Sequence, residues 1–140
     1  MTIITSLEAS IKAKLEEINN FSFISDTFTL TPDGYPSATF ELRSFDGEFL
    51  DTCTNRRNFT FNIDILEKVS KNRTRADAKT TIYNCLDQII EKFDGQQDLW
   101  NWQIVIWQVT NWEMGTFLEW EWQVIALTVN LTLTVNNSII

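Results

Sequence analysis

No Lys or Arg follows Lys92 in this chain, and all six tryptophans fall between Trp100 and Trp122. The region reads as two β-strands, Trp100–Val109 and Phe117–Val135, rich in Trp, Val, Ile, Leu and Thr. Natural sheets guard exposed edges with Lys, Pro or charge. Here only Glu113, Glu119 and Glu121 are available within the strands and their connection, and there is no proline. Such a pair needs cover from its own domain, from a neighbouring subunit, or from both. Length adds a second constraint. One strand from Leu118 to Val135 would span roughly 60 Å, whereas a domain of this size has a radius of gyration of about 14 Å. The strand therefore has to bend, bulge or project. Trp120, Trp122, Val124 and Ala126 share one phase of the two-residue period, and Leu127, Val129, Leu131, Leu133 and Val135 share the other. A bulge near Ala126-Leu127 is the expected break.

The preceding residues alternate between helical and strand periods. Ile4, Leu7, Ile11, Leu15 and Ile18 recur at helical spacing, with Thr5 and Glu8 as a capping box or a start nearer Thr2. Phe21–Leu30 reads as a strand, Thr31–Pro36 as a turn, and Ala38–Arg43 as a half-buried strand. Ser44–Asn55 reads as a polar loop around Asp46-Gly47. Phe59, Phe61, Ile63 and Ile65 then alternate with Asn58, Thr60, Asn62 and Asp64, the cleanest strand signal in the chain. Thr74 with Asp77 opens a second helix with an apolar stripe of Ala78, Ile82, Leu86, Ile89 and Phe93. Asp94-Gly95 stops it. The expected fold is α+β: a mostly antiparallel sheet of about five strands in the order α-β-β-β-α-β-β, two helices on one face, and residues 1–140 forming one domain.

Composition narrows the chemistry. The net charge is −8 and the sequence pI about 4.4, a poor basis for gripping nucleic acid through its phosphates. An acidic surface suits DNA that slides past without sticking. There is no histidine, so the commonest general base and metal ligand is missing. Cys53 and Cys85 form no CxxC; two isolated cysteines are more often buried thiols, and a disulfide between them stays open. No phosphate loop, dinucleotide fingerprint or nucleophile elbow occurs. Glu119 and Glu121 share a strand face as glycosidase acids do, with Trp120 and Trp122 as a sugar platform, but alternating Glu and Trp first suggests one wet and one packed face. Asp46, Glu48 and Asp51 lack calcium-loop spacing. Arg56-Arg57 suits either a partner's carboxylate or a solvated strand start. Neither a signal peptide nor a membrane-spanning run is expected, and Asn-x-Thr triplets such as Asn58-Phe59-Thr60 are ascribed to chance. No catalytic residue, cofactor or metal is expected.

Several segments together resemble the tail terminator proteins of long-tailed bacteriophages. They are Asp33-Gly34-Tyr35-Pro36-Ser37-Ala38, the loop Glu48-Phe49-Leu50-Asp51-Thr52, the run Asn55-Arg56-Arg57-Asn58-Phe59-Thr60-Phe61-Asn62-Ile63, the long helix and the late strands. The chain departs in reading Tyr35-Pro36-Ser37-Ala38 where the family has Tyr-Pro-Ala, and in its Trp-rich hairpin. The resemblance implies a structural virion protein made in the host cytoplasm. Six copies would form a ring on the head-proximal end of the tail tube, stop its polymerisation and dock the head-tail connector, while DNA passes through the lumen. It implies no enzyme activity and no membrane. Phe49, Leu50, Asp51, Arg56, Arg57, Trp107, Trp112, Trp120 and Trp122 are the expected assembly contacts. The alternatives are another head-tail joining protein, a tail tube subunit, or, more distantly, a β-rich carbohydrate-binding protein.

Overall fold

A computed structural model describes residues 3–18, 21–29, 32, 34–49, 54–70, 74–100, 103–119 and 122–138. In chain order the elements are α1 (Ile3–Ile18), β1 (Phe23–Ser25), β2 (Ser37–Phe49), β3 (Thr54–Lys68), α2 (Arg75–Phe93), β4 (Gln97–Trp100), β5 (Gln103–Glu119) and β6 (Trp122–Ser138). The strands form one sheet in the order β1-β2-β3-β6-β5-β4. Every pairing is antiparallel except β1 with β2. The expected α+β class and helix–strand alternation are present, and the short β4 raises the sheet to six strands.

One face carries the core. Phe59, Phe61, Ile63 and Ile65 on β3 stand opposite Leu133, Leu131, Val129 and Leu127 on β6, and all eight are buried. Leu7, Ile11 and Leu15 of α1, with Ala78, Ile82, Cys85, Leu86, Ile89 and Phe93 of α2, close over them. Burying a large aliphatic or aromatic side chain contributes about 1.5–3 kcal/mol, so this face dominates the stability. Thr74 caps α2: its hydroxyl accepts from Asp77 N–H while the Asp77 carboxylate accepts from Thr74 N–H. The helix ends where Gly95 takes φ +73°, a conformation that glycine reaches without a Cβ clash. The start of α1 falls nearer Thr2 than Thr5.

Several strand expectations need correction. β1 is only three residues long, not Phe21–Leu30. The expected loop Ser44–Asn55 is mostly strand: β2 runs on through Asp46-Gly47 to Phe49, and β3 starts at Thr54. The two late strands are Gln103–Glu119 and Trp122–Ser138, so Glu113–Gly115, expected as a connection, lie within β5. β6 keeps an unbroken register with β3 and has no bulge at Ala126. Its change of phase has another origin. Val124 and Leu66 point away from the helices yet are buried, and a strand buried on both faces reads as an apolar run rather than as alternation. The bulges sit on the flanking strands. Arg43 of β2 and Thr110 of β5 each lack a partner in the register. Both reach Asn130: the Arg43 guanidinium donates to its Oδ1 (3.4 Å) and the Thr110 hydroxyl to its carbonyl (3.2 Å). The long sheet therefore has a waist with one bulge on each side, where extra twist and bend are introduced.

Candidate assembly surface

The second face of the sheet is polar. Asn58, Thr60, Asn62 and Asp64 of β3 stand opposite Thr134, Thr132, Asn130 and Thr128 of β6. Most of these pairs bond across the strands. Thr134 donates to Asn58 Oδ1 (2.9 Å), Thr128 donates to Asp64 Oδ1 (2.6 Å), and the Thr60 and Thr132 hydroxyls lie 3.5 Å apart. Such pairs contribute a few tenths to about 1 kcal/mol each. Glu41, Asp46 and Glu113 are exposed on the same face. Burial raises the Asp64 carboxyl above the usual range; the Thr128 bond opposes this and Glu41 adds to it. The surface is hydroxyl- and amide-rich and leans acidic, with Arg43, bonded to Asn130, and Arg56 and Lys68, placed by the register, as its described cations.

Among the described residues, strands line only half of each flank of the sheet. On β2, β1 pairs with Ser37–Thr39, and Phe28 N–H donates to Glu41 Oε1 (2.7 Å). From Arg43 to Phe49 no described strand lies along its outer side. On β5, β4 pairs with Gln103–Ile106. Trp107 then exchanges backbone bonds with Gly95 and Gln96, and Val109 N–H donates to Asp94 Oδ1. These odd-numbered groups face outward, and the Thr110 bulge shifts the phase by one. Trp112 N–H is accordingly met by its neighbour Asn111 Oδ1 (2.8 Å), and by the two-residue period Met114, Thr116 and Leu118 turn their backbone groups outward. Among the described residues no strand receives them. An uncovered strand edge is a template for another chain.

Each bare stretch carries an exposed aromatic. Phe45 of β2 is 57% exposed, although its ring lies 5.1 Å from that of buried Phe59. Trp112 of β5 is 49% exposed and borders a shallow recess with Ile90, Asp94 and Val109. Both stand on the helix-bearing face, opposite Phe59 and Val129 respectively.

The expected contact residues divide. Trp107 belongs to the core, 1% exposed, with its ring 5.5 Å from that of Phe93 and Lys14 Nζ 5.2 Å above it. Arg56 and Arg57 are neighbours on β3 but project from opposite faces, Arg56 opposite Glu48 and Asn136, Arg57 opposite Gly47 and Val135. They do not form one clamp. Phe49 ends β2, and Trp122 begins β6 opposite Glu119. Leu50, Asp51 and Trp120 lie outside the described residues, as do Cys53 and Glu121. Sequence reading missed Phe45. Its signal was the spacing Phe40, Leu42, Phe45, a two-residue period broken once, which is how a bulged strand reads.

Elsewhere the chemistry is sparse. A recess of about 380 Å³ lies between the C-terminal ends of the helices, lined by Lys14, Ile18, Gln88, Glu91, Lys92 and Gln96. Beside it Lys92 pairs with Glu17, and that bond holds the Glu17 carboxyl below its usual range. Burial, reinforced by Glu67, pushes the Cys85 thiol up to about 11, so it stays protonated and poorly nucleophilic. Among the described residues no His, Cys, Asp and Glu side chains cluster to hold a metal, and no described helix is long and apolar enough to cross a membrane. No family model and no curated protein matches the chain.

Proposed function

We propose that this protein is a ring-forming virion component that caps the head-proximal end of a phage tail tube, stops its polymerisation and offers a docking face to the head connector. The observation that carries this reading is a long-stranded sheet along half of each flank of which no described strand lies, beside a polar, acid-leaning face. A lone subunit leaves such edges open, and a closed cyclic assembly covers them. The polar face suits a lumen wall: it offers DNA hydroxyls, amides and carboxylates instead of a lane of phosphate-binding cations.

The shape of the sheet favours a cap over a tube subunit. Tube subunits usually carry a hairpin arm that extends beyond their own domain. Here β6 stays paired with β3 from Val124 to Ser138, and the β5–β6 hairpin overshoots that ladder only by Gln123 and Trp122. The test is incubation of purified protein with purified tail tubes, followed by negative-stain microscopy. A cap blocks one end of each tube and stops further addition; elongation of the tubes would establish the tube-subunit reading instead. Replacing Arg56 and Arg57 by Glu is expected to block assembly, through lost subunit or tube contacts, while leaving the far-ultraviolet circular dichroism of the monomer intact. Normal caps from the double variant would remove both arginines from the contact surface.

A further inference from the structure

We propose that the bare outer stretch of β5, Trp112–Leu118, pairs antiparallel with the bare outer stretch of β2, Arg43–Phe49, of a second copy of this chain, head to tail. Four features favour a second copy as the occupant. The two stretches are of similar length and lie on opposite flanks of one sheet. β2 and β5 run in opposite directions, because each successive pairing from β2 through β3 and β6 to β5 is antiparallel. Copies related by rotation therefore present β5 to β2 in antiparallel sense, with the helix-bearing faces on the same side. β1 and β4 occupy the other half of each flank, so they confine the pairing to these stretches. Finally, Phe45 and Trp112 stand exposed on that common face, one beside each edge, and joining the edges brings an apolar ring to both sides of the seam. A two-fold β5–β5 contact would leave the β2 edge bare. The head-to-tail contact uses both edges in every copy and is the kind that closes into a ring.

The pairing also fixes a tilt. The bare half of β5 lies toward the Lys68 end of the sheet and the bare half of β2 toward the Thr54 end. Each copy is thus displaced along the strands relative to the next, and closure without axial rise requires strands inclined to the ring axis, as in any barrel. The inference rests on the ring reading for that closure alone; the strand pairing itself needs no tail tube.

The test uses two single variants in a Cys53→Ser background. Ser44→Cys sits on the exposed part of β2. Gly115→Cys sits on β5, where an added Cβ meets nothing within 4 Å. Both side chains point to the polar face, opposite Thr60 and Ala126 respectively, and buried Cys85 stays silent. With a short bis-maleimide, the mixed variants are expected to give a cross-linked dimer, and either variant alone none. Equal cross-linking within one variant would establish a two-fold contact and overturn the proposal. So would rings seen by microscopy without the mixed cross-link, or a protein that remains monomeric and uncrosslinked at its highest attainable concentration. Cross-linked rings that fail to cap tail tubes would refute the capping function and leave the edge pairing standing.

Discussion

Trp107 and Trp112 share a strand and a face of the sheet, but one is 1% exposed and the other 49%. Trp107 lies beside the β4 half of the flank, under Phe93 and Lys14. Trp112 lies past the Thr110 bulge, where the outer side of β5 has no described strand. The bulge matters doubly. It returns Trp112 to the helix-bearing face although its number has the opposite parity, and it begins the stretch along whose outer side no described strand lies. One strand thus serves folding in its first half and, in the proposed assembly, association in its second.

Truncating the two rings should separate these roles. Trp107→Ala is expected to cost about 3–5 kcal/mol of stability, because a core aromatic leaves a cavity, and to lower Tm by about 10 °C or more. Trp112→Ala should alter monomer stability by less than about 1 kcal/mol and weaken self-association by about 2 kcal/mol, some thirtyfold. Thermal unfolding and sedimentation velocity on both variants decide it. A large stability loss at Trp112 with unchanged association would collapse the distinction.

The same contrast explains what could be read from the sequence. The alternation from Asn58 to Ile65 was legible because over these residues one face of β3 is buried and the other is polar. The Thr74–Asp77 cap and the Gly95 stop were legible because each is a local device. Arg43–Gly47 of β2 was not: exposed on both faces, it loses apolar alternation, and Asp46-Gly47 mimics a turn. The β6 phase change was visible but misassigned, since Val124 and Leu66 are buried on the face that is otherwise polar. The separation of Trp107 from Trp112 was invisible. It depends on one residue, Thr110, left without a partner, and on where β4 stops.

A second measurement probes the covered layer alone. Cys85 is fully buried on the inner face of α2, and its thiol is pushed up to about 11 from 9.0. The folded state therefore holds the proton more tightly than the unfolded state. Its contribution is intact below about pH 9 and is lost as pH rises toward 11, reaching about 2 kcal/mol. Urea unfolding between pH 8 and 11 should show this loss, and Cys85→Ala should flatten that part of the profile. An unchanged slope in the variant would assign the alkaline loss to other groups.

The smallest effect belongs to the polar face. Asp64 accepts from Thr128 but lies partly buried near Glu41, and burial dominates, raising its carboxyl. The folded state thus binds this proton more readily than the unfolded chain, whose aspartates titrate near 3.9. Stability therefore falls as pH rises from below that value through the folded titration, and at neutral pH the ionised carboxylate is a liability. Asp64→Asn keeps an oxygen to accept from Thr128 and removes the charge. It should raise Tm slightly at pH 7, and the gain should vanish below about pH 4, where the native carboxyl is protonated in both states. A loss at pH 7 instead would mean that the charge on the Thr128 bond outweighs the cost of burial. The polar face would then be held together by its charge, as the opposite face is by its apolar side chains, and its acidity would be structural before it served any ligand or passing polymer.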